Sequence, residues 1–295
     1  MEWLLALVGV GLLAAIWGIG VERHLYKIRQ TEIAGVLPAG SNPIRVLHVS
    51  DFHLAPWQKR KQRFIADLAK LNPDFVVNTG DNLGHRNAID PLVESLTPLM
   101  RYPGVFAHGS NDYEAPSLRN PLSYLLHPSK PQHGHPLETE RMTSAFEAAG
   151  WLNLNNKGGE LEVSGLRIGF IGLDDGHDGK DDVASIPAQV RSQTAIDLRL
   201  AVTHAPYLRF IELFTEAYAT VIFAGHTHGG QVCLPGSRAL VTNCDLPTRY
   251  AKGLSAWSFG GKNSILNVCA GLGTSIFAPV RLFCRPEVRL VTLLP

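Results

Sequence analysis

Five short runs carrying Asp, Asn and His are spread over residues 51 to 228. They read Ser50-Asp51-Phe52-His53, Gly80-Asp81-Asn82, Gly109-Ser110-Asn111-Asp112, Thr203-His204-Ala205-Pro206 and Gly225-His226-Thr227-His228-Gly229. Among their side chains, two carboxylates, four imidazoles and a carboxamide would be about what two neighbouring divalent ions require. Carboxylate and amide oxygens mixed with imidazole suit manganese, iron or zinc, whereas calcium takes an all-oxygen cage. Two such ions, roughly 3.5–4 Å apart, form the usual clamp for in-line displacement at a phosphoryl centre.

Asp51 and His53 stand at i and i+2, so an extended chain points both the same way. His226 and His228 repeat that spacing among Gly225, Gly229 and Gly230, where small neighbours leave room for imidazoles and a phosphate. Asp81 follows a glycine that lets the backbone turn sharply, and its two oxygens can bridge two ions. Any one of these histidines, taken alone, reads as an ordinary hydrogen-bonded loop residue. The order of all five runs is what argues for a metal centre.

Each run follows a segment that reads as a buried strand. Ile44 to Val49, Phe75 to Asn78, Gly104 to His108, Leu198 to Thr203 and Thr220 to Ala224 are apolar and rich in β-branched residues. Phe64, Ile65, Leu68 and Leu71 recur at helical spacing between Gln58 and Leu71, and Asn72-Pro73 stops that helix. Further helices are expected over Leu92–Met100, with Pro98 clouding its end, and over Thr143–Gly150. Strands are expected at Glu160–Val163, Arg167–Leu173, Ser264–Val268 and Val288–Leu293. Residues 22 to 43 read as a polar connection breaking at Leu37-Pro38-Ala39-Gly40. Residues 113 to 140 hold Pro116, Pro121, Pro128, Pro131 and Pro136 with His127, His133 and His135, a composition that suits a functional loop or cap. The acidic stretch Asp174-Asp175-Gly176-His177-Asp178 does not match an EF-hand loop and reads as a turn near the site.

The order D-x-H, G-D, H and G-H-x-H resembles the calcineurin-like metallophosphoesterase superfamily over roughly residues 44 to 294. Val268-Cys269-Ala270-Gly271-Leu272-Gly273-Thr274-Ser275 and Arg285-Pro286-Glu287 resemble the closing segment of its membrane-associated predicted phosphohydrolase branch. The resemblance implies a four-layer α/β/β/α sandwich with two mixed sheets and the metals at the C-terminal ends of strands. It implies that Asp51, His53, Asp81 and His228 hold one ion, and that Asp81, a run-three amide, His204 and His226 hold the other.

Run three departs from the family's G-N-H-[DE]. Matched without a gap, Ser110 takes the Asn position and Asn111 the His position. With one residue deleted, Asn111 becomes the ligand and Asp112 takes the His position. The second match is preferred, because a carboxamide oxygen is a far better ligand than a neutral hydroxyl. Either way the family's imidazole, which would protonate the leaving group, is missing. Asp112 could replace it only with a raised pKa. His108, His177 or a loop histidine are the alternatives, and a leaving group of low pKa would lessen the need.

The rest of the chain bounds where this chemistry takes place. Its 295 residues, 45% hydrophobic, can build one large α/β domain over residues 31–295 behind an anchor and juxtamembrane segment at 1–30. A net charge of +1 gives no general attraction to nucleic-acid polymers. Trp3 to Val21 is nineteen residues without a charge, about 28 Å as a helix, with no cleavage signature after it. It reads as an uncleaved single-pass transmembrane helix. Arg23, Lys27 and Arg29 beside its end place the following domain on the cytoplasmic side. Lys59-Arg60-Lys61-Gln62-Arg63 is most simply a solvated helix face, with contact to the membrane surface as the sharper reading. Cys233, Cys244, Cys269 and Cys284 lack metal or disulfide spacing and read as buried or incidental thiols.

The expected protein is a membrane-anchored, dinuclear phosphoesterase in which metal-activated water attacks a phosphate ester, phosphodiester or pyrophosphate. Its expected partner is a phosphorylated small molecule or a lipid-linked phosphate. The alternative is a binding protein that keeps the metals without turnover.

Overall fold

The structure, a computed structural model, describes residues 1–116 and 134–295. The central part of the expected proline-rich loop, including Pro121, His127, Pro128, Pro131 and His133, lies outside the described residues. At its neck, Ala115 N–H donates to His135 O and Leu137 N–H to Tyr113 O, at 2.9 and 2.8 Å.

Alternating burial builds the domain. Successive side chains of a strand point to opposite faces, so an apolar run of five or six residues feeds two apolar layers at once. In β2 (Ile44–Val49), Ile44 and Val46 face a second sheet while Leu47 and Val49 face helices. The same split holds in β3 (Phe75–Asn78), β4 (Gly104–Phe106), β8 (Leu198–Val202) and β9 (Val221–Ala224). The middle layer joins Ile44, Val46 and Phe75 to Phe170, Val202 and Phe223.

The first sheet has the order β1-β14-β2-β3-β4-β5, with β1 at Lys27–Ile33, β5 at Leu152–Asn153 and β14 at Glu287–Leu293. β2 to β5 are parallel, and β14 runs antiparallel to β2. The second has the order β12-β13-β9-β8-β7-β6, with β6 at Gly159–Val163, β7 at Leu166–Gly172, β12 at Gly253–Phe259 and β13 at Lys262–Val268. The short strands β10 (Cys233–Leu234) and β11 (Arg238–Ala239) pair with each other apart from both sheets. Antiparallel edges enclose a parallel core of β7, β8, β9 and β13. Helices α2 (Lys59–Asp67), α3 (Ile89–Leu96) and α5 (Thr139–Ala148) cover the first sheet, and α6 (Ile186–Ser192) and α7 (Leu208–Glu216) cover the second. The expected α/β/β/α sandwich of two mixed sheets is the observed architecture.

Three local differences have physical causes. β1 occupies the stretch expected as a polar connection and crosses the 30/31 boundary. Its sequence KIRQTEI carries little apolar alternation, and its ladder with β14 satisfies the backbone. α3 starts at Ile89 rather than Leu92, because Pro91 is tolerated in a first turn, and its regular part stops before Pro98. α2 continues as a tighter turn to Leu71, where Asn72 adopts a left-handed conformation (φ 45°) and ends it.

An apolar helix, α1 (Glu2–Gly20), precedes the sandwich and is long and apolar enough to cross a membrane. Trp3, Leu5, Leu13 and Ile16 are each more than half exposed. Its end is clamped to the domain. Arg281 N–H donates to Gly18 O at 3.2 Å. The buried Glu22 carboxylate accepts from Phe283 N–H (3.1 Å), Cys284 N–H (2.7 Å) and Trp17 Nε1–H (2.9 Å).

His48 sits fully buried between the sheets, bonded to Asn267 at 2.9 Å and Thr79 at 3.0 Å. Burial, with Arg289 adding repulsion, lowers its pKa to about 3. The unfolded chain therefore takes up a proton near pH 6.5 that the folded chain refuses. Stability is full above pH 6.5 and falls as pH drops toward 3, by about 1.4 kcal/mol per pH unit for one such proton. Urea midpoints between pH 7 and pH 4.5 should fall in the wild type, and His48→Gln should flatten that slope by about one proton's share.

Candidate metal centre

Each run falls in the loop after a strand. Asp51 follows β2, Asp81 follows β3 and His204 follows β8, while His226 and His228 follow β9. Run three comes after β4 and winds into the short turn α4 (Ser110–Tyr113). Parallel pairing within each sheet brings all five loops to one edge, where the sheets' C-terminal ends meet. Asp51, His53, Asp81, His226 and His228 all have positive φ, between 38° and 68°. Left-handed backbone costs an L residue about 1 kcal/mol or more, although Asp and His bear it better than most. Five such residues in one cluster mark a geometry held by its surroundings.

The side chains converge. Asp81 Oδ2 lies 3.3 Å from His53 Nε2 and 3.5 Å from His204 Nε2. His53 Nε2 faces His228 Nε2 at 3.1 Å, and His204 Nε2 faces His226 Nδ1 at 3.3 Å. His228 Nε2 is 3.6 Å from Asp51 Oδ1. Two triads, Asp51-His53-His228 and Asp51-Asp81-His204, have ligand atoms within 4.8 Å of one another.

The outer ring nitrogens show what the inner ones can do. His204 Nδ1 is 2.7 Å from Thr79 O, His226 Nε2 is 3.2 Å from Asn243 O and His228 Nδ1 is 3.3 Å from Gly273 O. In a neutral ring, a nitrogen that meets only a carbonyl carries the proton, which leaves the opposite nitrogen with a lone pair. His228 Nδ1 meets the Arg281 guanidinium as well, at 3.3 Å. Lone pairs from opposed imidazoles, with a carboxylate oxygen between, are a donor set for cations. The residues present therefore fit metal ions. Glycine makes room for the cluster, since a Cβ on Gly109 would strike Asp81 and the His204 ring, and one on Gly225 would strike Ser50 and Asp51.

Burial raises the Asp51 carboxyl to about 6, opposed by nearby His204. Burial also acts to raise Asp81, but His204 and His53 hold it well below the usual carboxylate range. Burial lowers His53 to about 4 and His226 to about 3. Burial opposes charge on His204 as well, but Asp81 and Asp51 hold its imidazole well above the usual range. His204 therefore gives up a proton to ligate, whereas His53 and His226 are already in the neutral form that binds metals.

Run three divides into two roles. Asn111 joins the cluster, where its backbone N–H and its Nδ2 donate to the two Asp81 oxygens, each at 2.8 Å. Asp112 lies behind it, fully buried. Its oxygens accept from Asn82 N–H (2.7 Å), Asn82 Nδ2 (3.2 Å) and Gly109 N–H (3.1 Å). Burial, with Asp81 adding repulsion, raises the Asp112 carboxyl to about 7. His108 is also buried, with Nε2 2.8 Å from Thr143 Oγ1 and Nδ1 3.8 Å from Asp112. Burial lowers it to about 3. Neither group touches the opposed imidazoles, and both brace the loop that presents Asn111.

Two neighbours of the cluster carry no motif of their own. The His177 ring lies 5.1 Å from the His226 ring, and its Nδ1 is 3.0 Å from Tyr207 Oη, so the acidic turn does border the site. Tyr207 comes three residues after His204, in the turn just before α7, and no sequence motif flags it. Arg281 is fully buried and answers carbonyls: Ala270 O and Gly273 O at 2.7 Å and His228 O at 3.1 Å, with His228 Nδ1 at 3.3 Å. Nothing in its local sequence distinguishes it from a surface arginine.

Two mixed sheets with Asp and His gathered at their shared edge define an α/β sandwich around a candidate metal centre. A sequence model of the calcineurin-like phosphoesterase family matches residues 44–230, more than half of the chain, and the chain belongs to that family. An uncharacterized metallophosphoesterase of Bacillus subtilis, YkuE, is 24% identical over 96% of this chain and 92% of its own. A transmembrane protein with metallophosphoesterase domain from Danio rerio is 27% identical over 78% of this chain, which spans about half (51%) of that protein. Among solved structures, a dimetal phosphatase from Danio rerio superposes with a TM-score of 0.42 at 12% identity, covering 78% of this chain and 88% of its own.

Replacing Arg281 tests its structural role. Arg281→Met strands several buried carbonyls and should destabilise the fold by about 3 kcal/mol in chemical denaturation. Arg281→Lys should recover little of this, because one ammonium cannot fork to carbonyls on separate segments.

Proposed function

We propose that the chain is a membrane-anchored phosphoesterase whose Asp and His cluster holds two divalent ions of manganese, iron or zinc. The observation that carries this reading is the position of Asp81 Oδ2 between two opposed imidazole pairs. Asp51, His53, Asp81 and His228 would hold one ion. Asp81, Asn111, His204 and His226 would hold the other, with the Asn111 amide turned so that its oxygen faces in. Ions so placed lower the pKa of water and draw charge from the phosphoryl oxygens.

The chain's own residues orient and support this centre. Thr79 O and Asn243 O orient the His204 and His226 rings through their outer nitrogens, and Gly273 O and Arg281 together hold the His228 ring. Asp112 and His108 hold the Asn111 loop in place. No imidazole stands in run three to protonate a departing alkoxide. The His177–Tyr207 pair beside His226 is a proton-bearing pair outside the ligand set. The fitting substrates are therefore esters with weakly basic leaving groups, such as pyrophosphates or aryl esters, on a soluble or a lipid-linked molecule. The exposed apolar α1 and the transmembrane relative support the anchor, and Arg23, Lys27 and Arg29 favour a cytoplasmic domain.

Purified protein loaded with manganese should hydrolyse a bis-aryl phosphodiester, and chelation should abolish turnover. Asp81→Asn should lower kcat/KM about 1,000-fold or more, since it removes a ligand common to both ions. Full metal content without turnover above that control would favour a binding protein. Across substituted aryl phosphates, rate should fall steeply as the leaving-group pKa rises. A flat series would show an acid assisting departure.

A further inference from the structure

The basic run on α2 has no part in the metal cluster, and the fold places it beside the end of α1. The Tyr26 ring, just past the anchor, lies 5.1 Å from the Phe64 ring of α2. Arg285 Nε donates to Leu25 O at 3.0 Å, and Glu22 binds the Phe283 and Cys284 amides. Gly18 packs so closely on Val280 and Arg281 that a Cβ there would lie 2.9 and 2.8 Å from them. Three segments, residues 23–31, 52–66 and 274–286, thus meet where α1 leaves the domain.

None of the three contains Asp or Glu. Lys59, Arg60 and Arg63 are exposed on α2, whereas Lys61 of the same run is buried and donates to Phe52 O at 2.7 Å. The solvated-face reading therefore holds only for the outer three. Among these cations stand apolar side chains open to solvent: Trp57 (62% exposed) before α2, and Phe277 (37%) and Phe283 (47%) on the loop that clamps α1. Exposed aromatics beside Lys59, Arg60 and Arg63, which have no carboxylate partner among the described residues, match the headgroup layer of an anionic bilayer, where aromatic rings sit at the interface and Lys and Arg meet phosphates.

We propose that Trp57, Lys59, Arg60, Arg63, Phe277 and Phe283 form a bilayer-docking surface for anionic lipid, which seats the domain on the membrane that α1 crosses. The inference rests on reading α1 as an anchor. The surface adjoins the metal centre at two points. Trp57 lies four residues beyond His53, and the Phe277–Phe283 loop carries Arg281, which touches His228. Docking would hold the His53 and His228 side of the centre toward the lipid.

Full-length protein reconstituted in phosphatidylcholine vesicles, with and without phosphatidylglycerol, tests this by hydrogen exchange. Backbone amides of residues 57–64 and 276–283 should exchange about tenfold more slowly with phosphatidylglycerol present. High salt, or the triple variant K59E/R60E/R63E, should remove that protection while the protein still floats with the vesicles after a carbonate wash. Equal exchange in both lipids, with wash-resistant insertion, overturns the docking surface and leaves the anchor standing. Wash-off with lipid-dependent protection retained keeps the surface and loses the anchor. Wash-off without protection overturns both. Protection that follows protein concentration rather than lipid composition would assign the surface to a second copy and overturn the bilayer.

Discussion

The fold is organised around a buried electrostatic demand. Asp51 and Asp81, both nearly inaccessible to water, lie among four imidazoles whose inner nitrogens face one another at little over 3 Å. Such a cluster is costly in an apolar interior unless positive charge sits within it. The sheets share that cost. Each contributes loops from its parallel core, and their C-terminal edges must meet in one register for the donors to converge. The interlayer packing of Phe75 on Phe170, rings 5.7 Å apart, is one of the contacts that hold the two sheets face to face.

Run three departs from the family's pattern yet keeps a carboxamide at the cluster. The carboxylate that follows Asn111 is turned away from the opposed imidazoles and spent on backbone amides of Gly109 and Asn82. It keeps the loop rigid enough to hold a carboxamide against Asp81. The second carboxyl-rich turn, at Asp174–Asp178, approaches from the other sheet and brings His177 with it. Each sheet therefore supplies both members of the cluster and groups that border it.

Most of the frame was legible in the sequence because parallel strands buried on both faces leave long apolar runs, and each run ends at a ligand. The strands before Asp51, Asp81, His204 and His226 read directly for this reason. β1 was not legible, since KIRQTEI earns its place through backbone pairing at a sheet edge. Arg281 was hidden too, because its partners are carbonyls, which any sequence can supply. The split of run three was out of reach for a related reason. Whether Asp112 faces the cluster or the backbone depends on one turn of chain that spacing does not specify.

The clamp at Glu22 has a mechanical consequence. A domain hung on a flexible spacer samples a hemisphere whose radius grows with spacer length. Here the spacer has essentially no length, since Gly18 and Glu22 are already bonded to the loop that carries Arg281. With α1 in a bilayer, as proposed, the height of the Asp and His cluster would be set by covalent geometry and a few hydrogen bonds, and lateral diffusion would be its main remaining freedom. The cluster would then search a plane rather than a volume, and a ligand out of reach of that plane would be out of reach of the site.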